Sequence, residues 1–116
     1  MTAVSPRKGG NILGLADNQE NAIIMTAGAA VLSDEAALAV AMAELQMTAA
    51  QMKEMSKSMN GDMDFIYINY ADASQDPIGS YGPDNVQYMR DIATSYDPDG
   101  VFQSRIPGGF KVSRVV

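Results

Sequence analysis

The stretch Ala22 to Leu32 (AIIMTAGAAVL) is small and apolar, and it runs directly into Ser33-Asp34-Glu35. An apolar run that meets a helix-start signal predicts a buried strand. A second apolar segment, NILGLA at 11–16, lies upstream, and the polar DNQEN at 17–21 reads as a hairpin loop joining the two in an antiparallel pair. Ser33 suits an N-cap, Asp34 and Glu35 suit a first turn where the helix dipole favours anions, and no Pro or Gly follows until Gly61. This predicts a helix of about seven turns. Leu38, Met42, Leu45, Ala49, Met52, Ser56 and Met59 recur at three or four residues, the spacing of a single buried stripe, and Asn60-Gly61 supplies the stop. The methionines 42, 47, 52, 55 and 59 suit either a gap-filling core with its flank or a soft, adaptable binding surface.

Asp64 to Ala71 (DFIYINYA) is aromatic and β-branched, the clearest strand signal in the chain. Strict alternation would put Phe65, Tyr67 and Asn69 on one face and Ile66, Ile68 and Tyr70 on the other. An Asn inside a strand is at a sheet end, solvated, or in contact with a polar group. DASQDPIGSYG at 72–82 is a loop of turn formers, and Pro83 fits the first position of a second helix that Asp97-Pro98 ends. Val86, Met89, Ala93 and Tyr96 form its apolar face, and Phe102 and Phe110 read as plugs docking an irregular but ordered tail. The order β, β, long α, β, α, tail predicts a single α+β domain over 1–116, an antiparallel sheet with helices packed on one face.

Composition narrows the chemistry. The chain has 116 residues, 47% of them hydrophobic, enough for one domain with a core. Fourteen acidic against eight basic side chains give a net charge of −6, which repels phosphate and argues against nucleic-acid partners. The absence of Cys and His removes disulfides, thiolate nucleophiles, the usual zinc ligands and the neutral-pH general base. Chemistry is left to Tyr, carboxylates, amines, the backbone or a bound cofactor. No apolar core follows Arg7 and Lys8 as a signal peptide requires, and the apolar run at 22–32 is too short for a bilayer, so the sequence predicts a cytoplasmic chain without a membrane partner.

Several motifs resolve into local structure. GGNILG at 9–14 matches neither the dinucleotide fingerprint nor a P-loop and reads as a turn or a close packing point. Asp97, Asp99 and Gly100 resemble part of a calcium loop, but its closing position holds Gly108, so a helix stop and turn is expected and no metal site. The carboxylate pairs Asp62/Asp64 and Asp72/Asp76 read as solvated loop positions. One segment stands apart: Tyr67, Asn69 and Tyr70, followed by Gln75-Asp76-Pro77 and Ser80-Tyr81-Gly82, combines polar aromatics and amides with apolar residues. That mixture suits a ligand wall, or a core in which Tyr67 and Tyr70 keep their hydroxyls wet.

YINYADASQDPIGSYG, then YDPDGVFQ, then PGGFK resembles the C-terminal end of FAD-linked oxidases of the berberine bridge enzyme type, particularly fungal ones. GGNILGL, the apolar run and the SDEAA helix extend the resemblance upstream, to about residues 9–112. It implies a truncated substrate domain that shapes the pocket over a flavin, in an oxidoreductase of secondary metabolism acting on a small organic metabolite. It further implies that FAD is held chiefly by a half absent from this chain, which alone is not expected to retain it. By the same resemblance Tyr67 and Asn69 lie against the cofactor and Tyr70 is the catalytic base. The implied partners are a small-molecule substrate and either a second copy or a complementary FAD-binding chain covering the exposed sheet. Two rival expectations are a flavin-free metabolite-binding or cyclase-like protein and a noncatalytic interaction remnant.

Overall fold

The computed structural model describes residues 11–15, 21–30 and 34–115. Among them every regular element is helical and there is no β-strand, so the expected α+β architecture with an antiparallel sheet is replaced by an all-helical one. Contacts divide the chain into two units, Ile23–Met63 and the combination of Met1–Ala22 with Asp64–Val116.

Helix α1, Glu35–Ser58, dominates the first unit. Asp34 holds an extended backbone, and its carboxylate accepts the Ala36 amide at 2.9 Å, satisfying one of the free donors at the helix start. Ser33, the expected cap, lies outside the described residues. At the far end Asn60 turns left-handed at φ 53°. Its amide then bonds to the Lys57 carbonyl at 3.0 Å and the Gly61 amide to the Ser56 carbonyl at 2.9 Å. Asn and Gly close helices this way because they tolerate that backbone, and the helix stops where the sequence placed the stop.

The stripe on α1 departs from expectation. Met42, Leu45, Met52 and Ser56 are only half-buried, Leu38, Met47, Met55 and Met59 are exposed, and no residue of the helix is fully buried. Helical periodicity selects a face, but burial requires an element to cover it. The apolar run expected as a strand has no regular structure over 21–30 and is exposed throughout, Ile23 reaching 90%.

In the second unit, α2 spans Pro83–Tyr96 as expected, with Pro83 in its first turn and Gly82 at φ 92° before it. Val86 is buried with Ile78 and Val112, and Ile68, Met89, Ala93, Phe110 and Val115 pack around them. Tyr96, expected on the apolar face, is 84% exposed. Phe110 docks as predicted, whereas Phe102, on the single turn α3 (Val101–Ser104), is exposed. The Asp97 carboxylate accepts the Val101 and Phe102 amides at 2.8 Å each, so the calcium-like motif is a helix stop and turn. No cluster among the described residues could hold a metal ion, and no helix there is long and apolar enough to cross a membrane.

The expected strands fail for a reason visible in the hydrogen bonds. At 11–15 the Asn11 side chain accepts the Leu13 amide at 2.9 Å and its carbonyl accepts the Gly14 amide at 3.2 Å, making a turn. Gly14 sits at φ 71° against the Tyr81 carbonyl, where a Cβ would collide, so this is also a close packing point. Residues 61–67 carry no regular structure and Ile68–Tyr70 form a 3-10 helix. The Ile66 amide is taken by the Ser80 hydroxyl at 3.0 Å, and the Tyr70 and Ala71 amides turn back to the Tyr67 and Ile68 carbonyls at 3.0 and 3.4 Å. Donors that a neighbouring strand would need are used locally.

Candidate functional site

A 3-10 turn advances three residues per revolution, so residues i and i+3 stand over one another. Across Ile68–Tyr70 this superposes Tyr67 and Tyr70, whose rings meet edge to face at 5.4 Å and 68°. Asn69 Nδ2 donates to Tyr67 Oη at 2.7 Å. All three sequence-predicted site residues are thereby brought together, which the alternation of a strand would have prevented. Tyr67 is half-buried, Asn69 exposed, and Tyr70 73% exposed, with a hydroxyl that makes no hydrogen bond among the described residues.

Tyr81 supports this turn. It closes a second 3-10 helix, Gly79–Tyr81, and its ring stacks on Phe65 at 5.8 Å and 24°. The loop beneath it is fastened by Asp76, which accepts the Gly79 amide at 2.9 Å, and by Ser80, which donates to the Pro77 carbonyl at 2.6 Å. Asn85 Nδ2 donates to the Tyr81 carbonyl at 2.8 Å. The Tyr81 hydroxyl is buried without a partner of good hydrogen-bond geometry. Burial pushes its phenol above the ordinary value; a marginal hydrogen bond with the Ile68 backbone opposes that shift and the Tyr67 phenol adds to it. Tyr81 belonged to the polar-aromatic segment of the sequence, but nothing in its spacing marked the hydroxyl as buried.

The other candidates do structural work. Asp72 accepts both the Ser74 amide at 3.0 Å and the Ser74 hydroxyl at 2.5 Å, while Asp76 is the cap just described. Asp62 lies 4.0 Å from Lys53. Two open grooves, of about 480 and 240 Å³, flank the start of α2, and neither is lined by Tyr67, Asn69 or Tyr70. In the larger, Arg90 is already engaged, donating to the Val115 carbonyl at 2.6 Å. The smaller groove is bordered by Ser80 and Tyr81, so concavity reaches the loop that supports the Tyr67–Tyr70 turn but not the turn itself.

No family model and no solved structure matches the chain. It is 40% identical over 107 residues to FAD-dependent monooxygenase drtC of Aspergillus calidoustus, a match covering 92% of the chain and 20% of that protein. It is 35% identical over 111 residues to FAD-dependent monooxygenase sdcF of Emericella nidulans, covering 95% and 23% respectively. With FAD-dependent monooxygenase FUP4 of Fusarium proliferatum the identity is 33% over 106 residues, covering 91% and 20%. The chain spans about a fifth of the length of the curated relatives it matches, and it resembles a part of a fungal FAD-linked enzyme.

Proposed function

We propose that this chain forms the part of an FAD-linked oxidoreductase that lies against the flavin ring, in an enzyme of the berberine bridge type acting on a small organic metabolite. The observation that carries the reading is the gathering of Tyr67, Asn69 and Tyr70 on one turn, with two rings in contact and an amide between them. The residues fit a planar ring with polar edges. The exposed Tyr70 ring offers a stacking surface, on a turn backed by the buried Tyr81 ring stacked on Phe65.

A bound flavin supplies the two-electron acceptor for hydride leaving a substrate C–H bond. In this reading Tyr70, once its hydroxyl has given up its own proton, would take the adjacent proton at Oη, and Tyr67 holds the Tyr70 ring through the edge contact. Asn69 fixes the Tyr67 hydroxyl by donating to it. The diphosphate and adenosine of FAD would be held by surfaces outside this cluster, which offers the ring alone a weaker seat. The exposed apolar residues Leu38, Met47, Met55 and Met59 of α1 support a covering partner, a second copy or an FAD-binding polypeptide. In a flavin-loaded protein containing this chain, Tyr70→Phe should slow anaerobic flavin reduction about a hundredfold. A rate equal to the parent's would leave Tyr70 as wall and not base.

A further inference from the structure

With no Cys in the chain, methionine is its only sulfur residue. Met47 on α1 is 59% exposed, Met55 on the same helix 54%, and Met59 at its C-cap 66%. Met25 and Met63 of the same unit are exposed as well. By contrast Met42 and Met52 on α1 are half-buried, and so is Met89, which packs against the core of the other unit. Among the described residues, exposed thioether sulfur is therefore gathered in the unit Ile23–Met63, and along one helix it is sorted from sheltered sulfur. Val40 and Met47 lie two turns apart on one side of α1, and Met55 and Met59 follow one turn apart beside them. Together they make an outward apolar band.

A thioether in contact with solvent is open to peroxide, and the sulfoxide it becomes is polar where methionine is apolar. The sulfur attacks one oxygen of hydrogen peroxide, the O–O bond breaks, the sulfur gives up two electrons and keeps that oxygen, and the other oxygen leaves as water. We propose that Met47, Met55 and Met59 form a reversible oxidation site: hydrogen peroxide converts them to sulfoxides while Met42, Met52 and Met89 are spared, and the outward band of α1 turns from apolar to polar. Helix α1 has no buried residue, so this change alters a surface without opening a core. Exposed methionine-rich faces engage partners through soft apolar contact, and sulfoxides remove that contact. Sulfoxide reductases reverse the step, which makes it a switch and not only damage. The site shares no residue with the Tyr67–Tyr70 turn and stands whether or not that turn meets a flavin.

The test treats the full chain with hydrogen peroxide, follows each methionine by peptide mass mapping, and reads the apolar surface with anilinonaphthalene sulfonate fluorescence. Met25, exposed outside any helix, is the internal reference. The expected result is oxidation of Met47, Met55 and Met59 at the rate of Met25 and about tenfold faster than Met42, Met52 and Met89, which react only when the structure opens. Dye fluorescence should fall with their oxidation and return after treatment with the two methionine sulfoxide reductases. A triple variant, Met47→Leu with Met55→Leu and Met59→Leu, keeps the band apolar and cannot be oxidised there, so its dye fluorescence should survive peroxide. Equal rates for all methionines of α1 would overturn the proposal. An equal loss of dye fluorescence in the parent and the triple variant would overturn it too, by placing the change of surface elsewhere.

Discussion

Ser80 joins the site to the core with one oxygen, and removing that oxygen should be costly. Its half-buried hydroxyl accepts the Ile66 amide at 3.0 Å and donates to the Pro77 carbonyl at 2.6 Å, tying the segment that leads into Tyr67 to the loop that carries Tyr81. Ser80→Ala breaks both bonds at once. Each contributes about 0.5–1.5 kcal/mol net, and a half-buried Ile66 amide left without an acceptor moves the sum toward the upper end of about 1–3 kcal/mol. Ser104 is the natural control, because its hydroxyl makes an equally short bond of 2.6 Å to the Gly100 carbonyl but is exposed. Water can replace that bond, so Ser104→Ala should cost no more than about 0.5 kcal/mol. Urea unfolding of both variants measures the difference, and hydrogen exchange at the Ile66 amide reports the site locally. Equal losses in the two variants, or unchanged exchange at Ile66, would refute the assignment of Ser80 as the clip beneath the site.

Gly14→Ala and Gly100→Ala both put a side chain at positive φ, a cost of about 1–2 kcal/mol, but only Gly14 also faces a backbone carbonyl, that of Tyr81. Gly14→Ala should therefore lower the calorimetric midpoint more, and equal shifts would contradict the packing described at that turn. The raised Tyr81 phenol sets an alkaline limit: below about pH 10 both folded and unfolded forms keep its proton, whereas above it the unfolded phenol ionises first, so stability is lost as pH rises from there through the folded value. Urea midpoints at neutral pH and at about pH 11 should show that loss in the parent and less of it in Tyr81→Phe; identical losses would show that Tyr81 is not its source.

The helices were legible because their signals are local. Asp34 caps α1 with its own carboxylate, one residue after the Ser33 expected in that role, Asn60 and Gly61 close it with their own backbone, and Pro83 opens α2 by lacking an amide the helix does not need. The DFIYINYA segment misled because alternation describes side chains while a strand is decided by its partner. Here the Ile66 amide met a serine hydroxyl fourteen residues away, and the next amides folded into a turn. That same event made the site more coherent than the sequence allowed, since Asn69 and Tyr70 would have pointed to opposite faces of a strand. Amphipathic spacing predicted a buried stripe on α1, yet no residue of that helix is buried and Leu38 and Met59 of the stripe are exposed, because spacing cannot say whether anything covers a face. Tyr81 was the least legible, because whether a phenol is wet or orphaned depends on contacts made by Phe65, Ile68 and Tyr67 together.

The central claim is that the Tyr67–Tyr70 turn, and not the larger open groove beside α2, receives a flavin ring. Amide and side-chain NMR shifts of the full chain, recorded while riboflavin is added, test this most directly. The account predicts saturable shifts at Tyr67, Asn69, Tyr70 and Tyr81, with the Asn69 side-chain amide among the largest because its donor to Tyr67 lies within the site. Shifts centred on Pro83, Gln87 and Arg90 in the larger groove, with the turn unaffected, would contradict it.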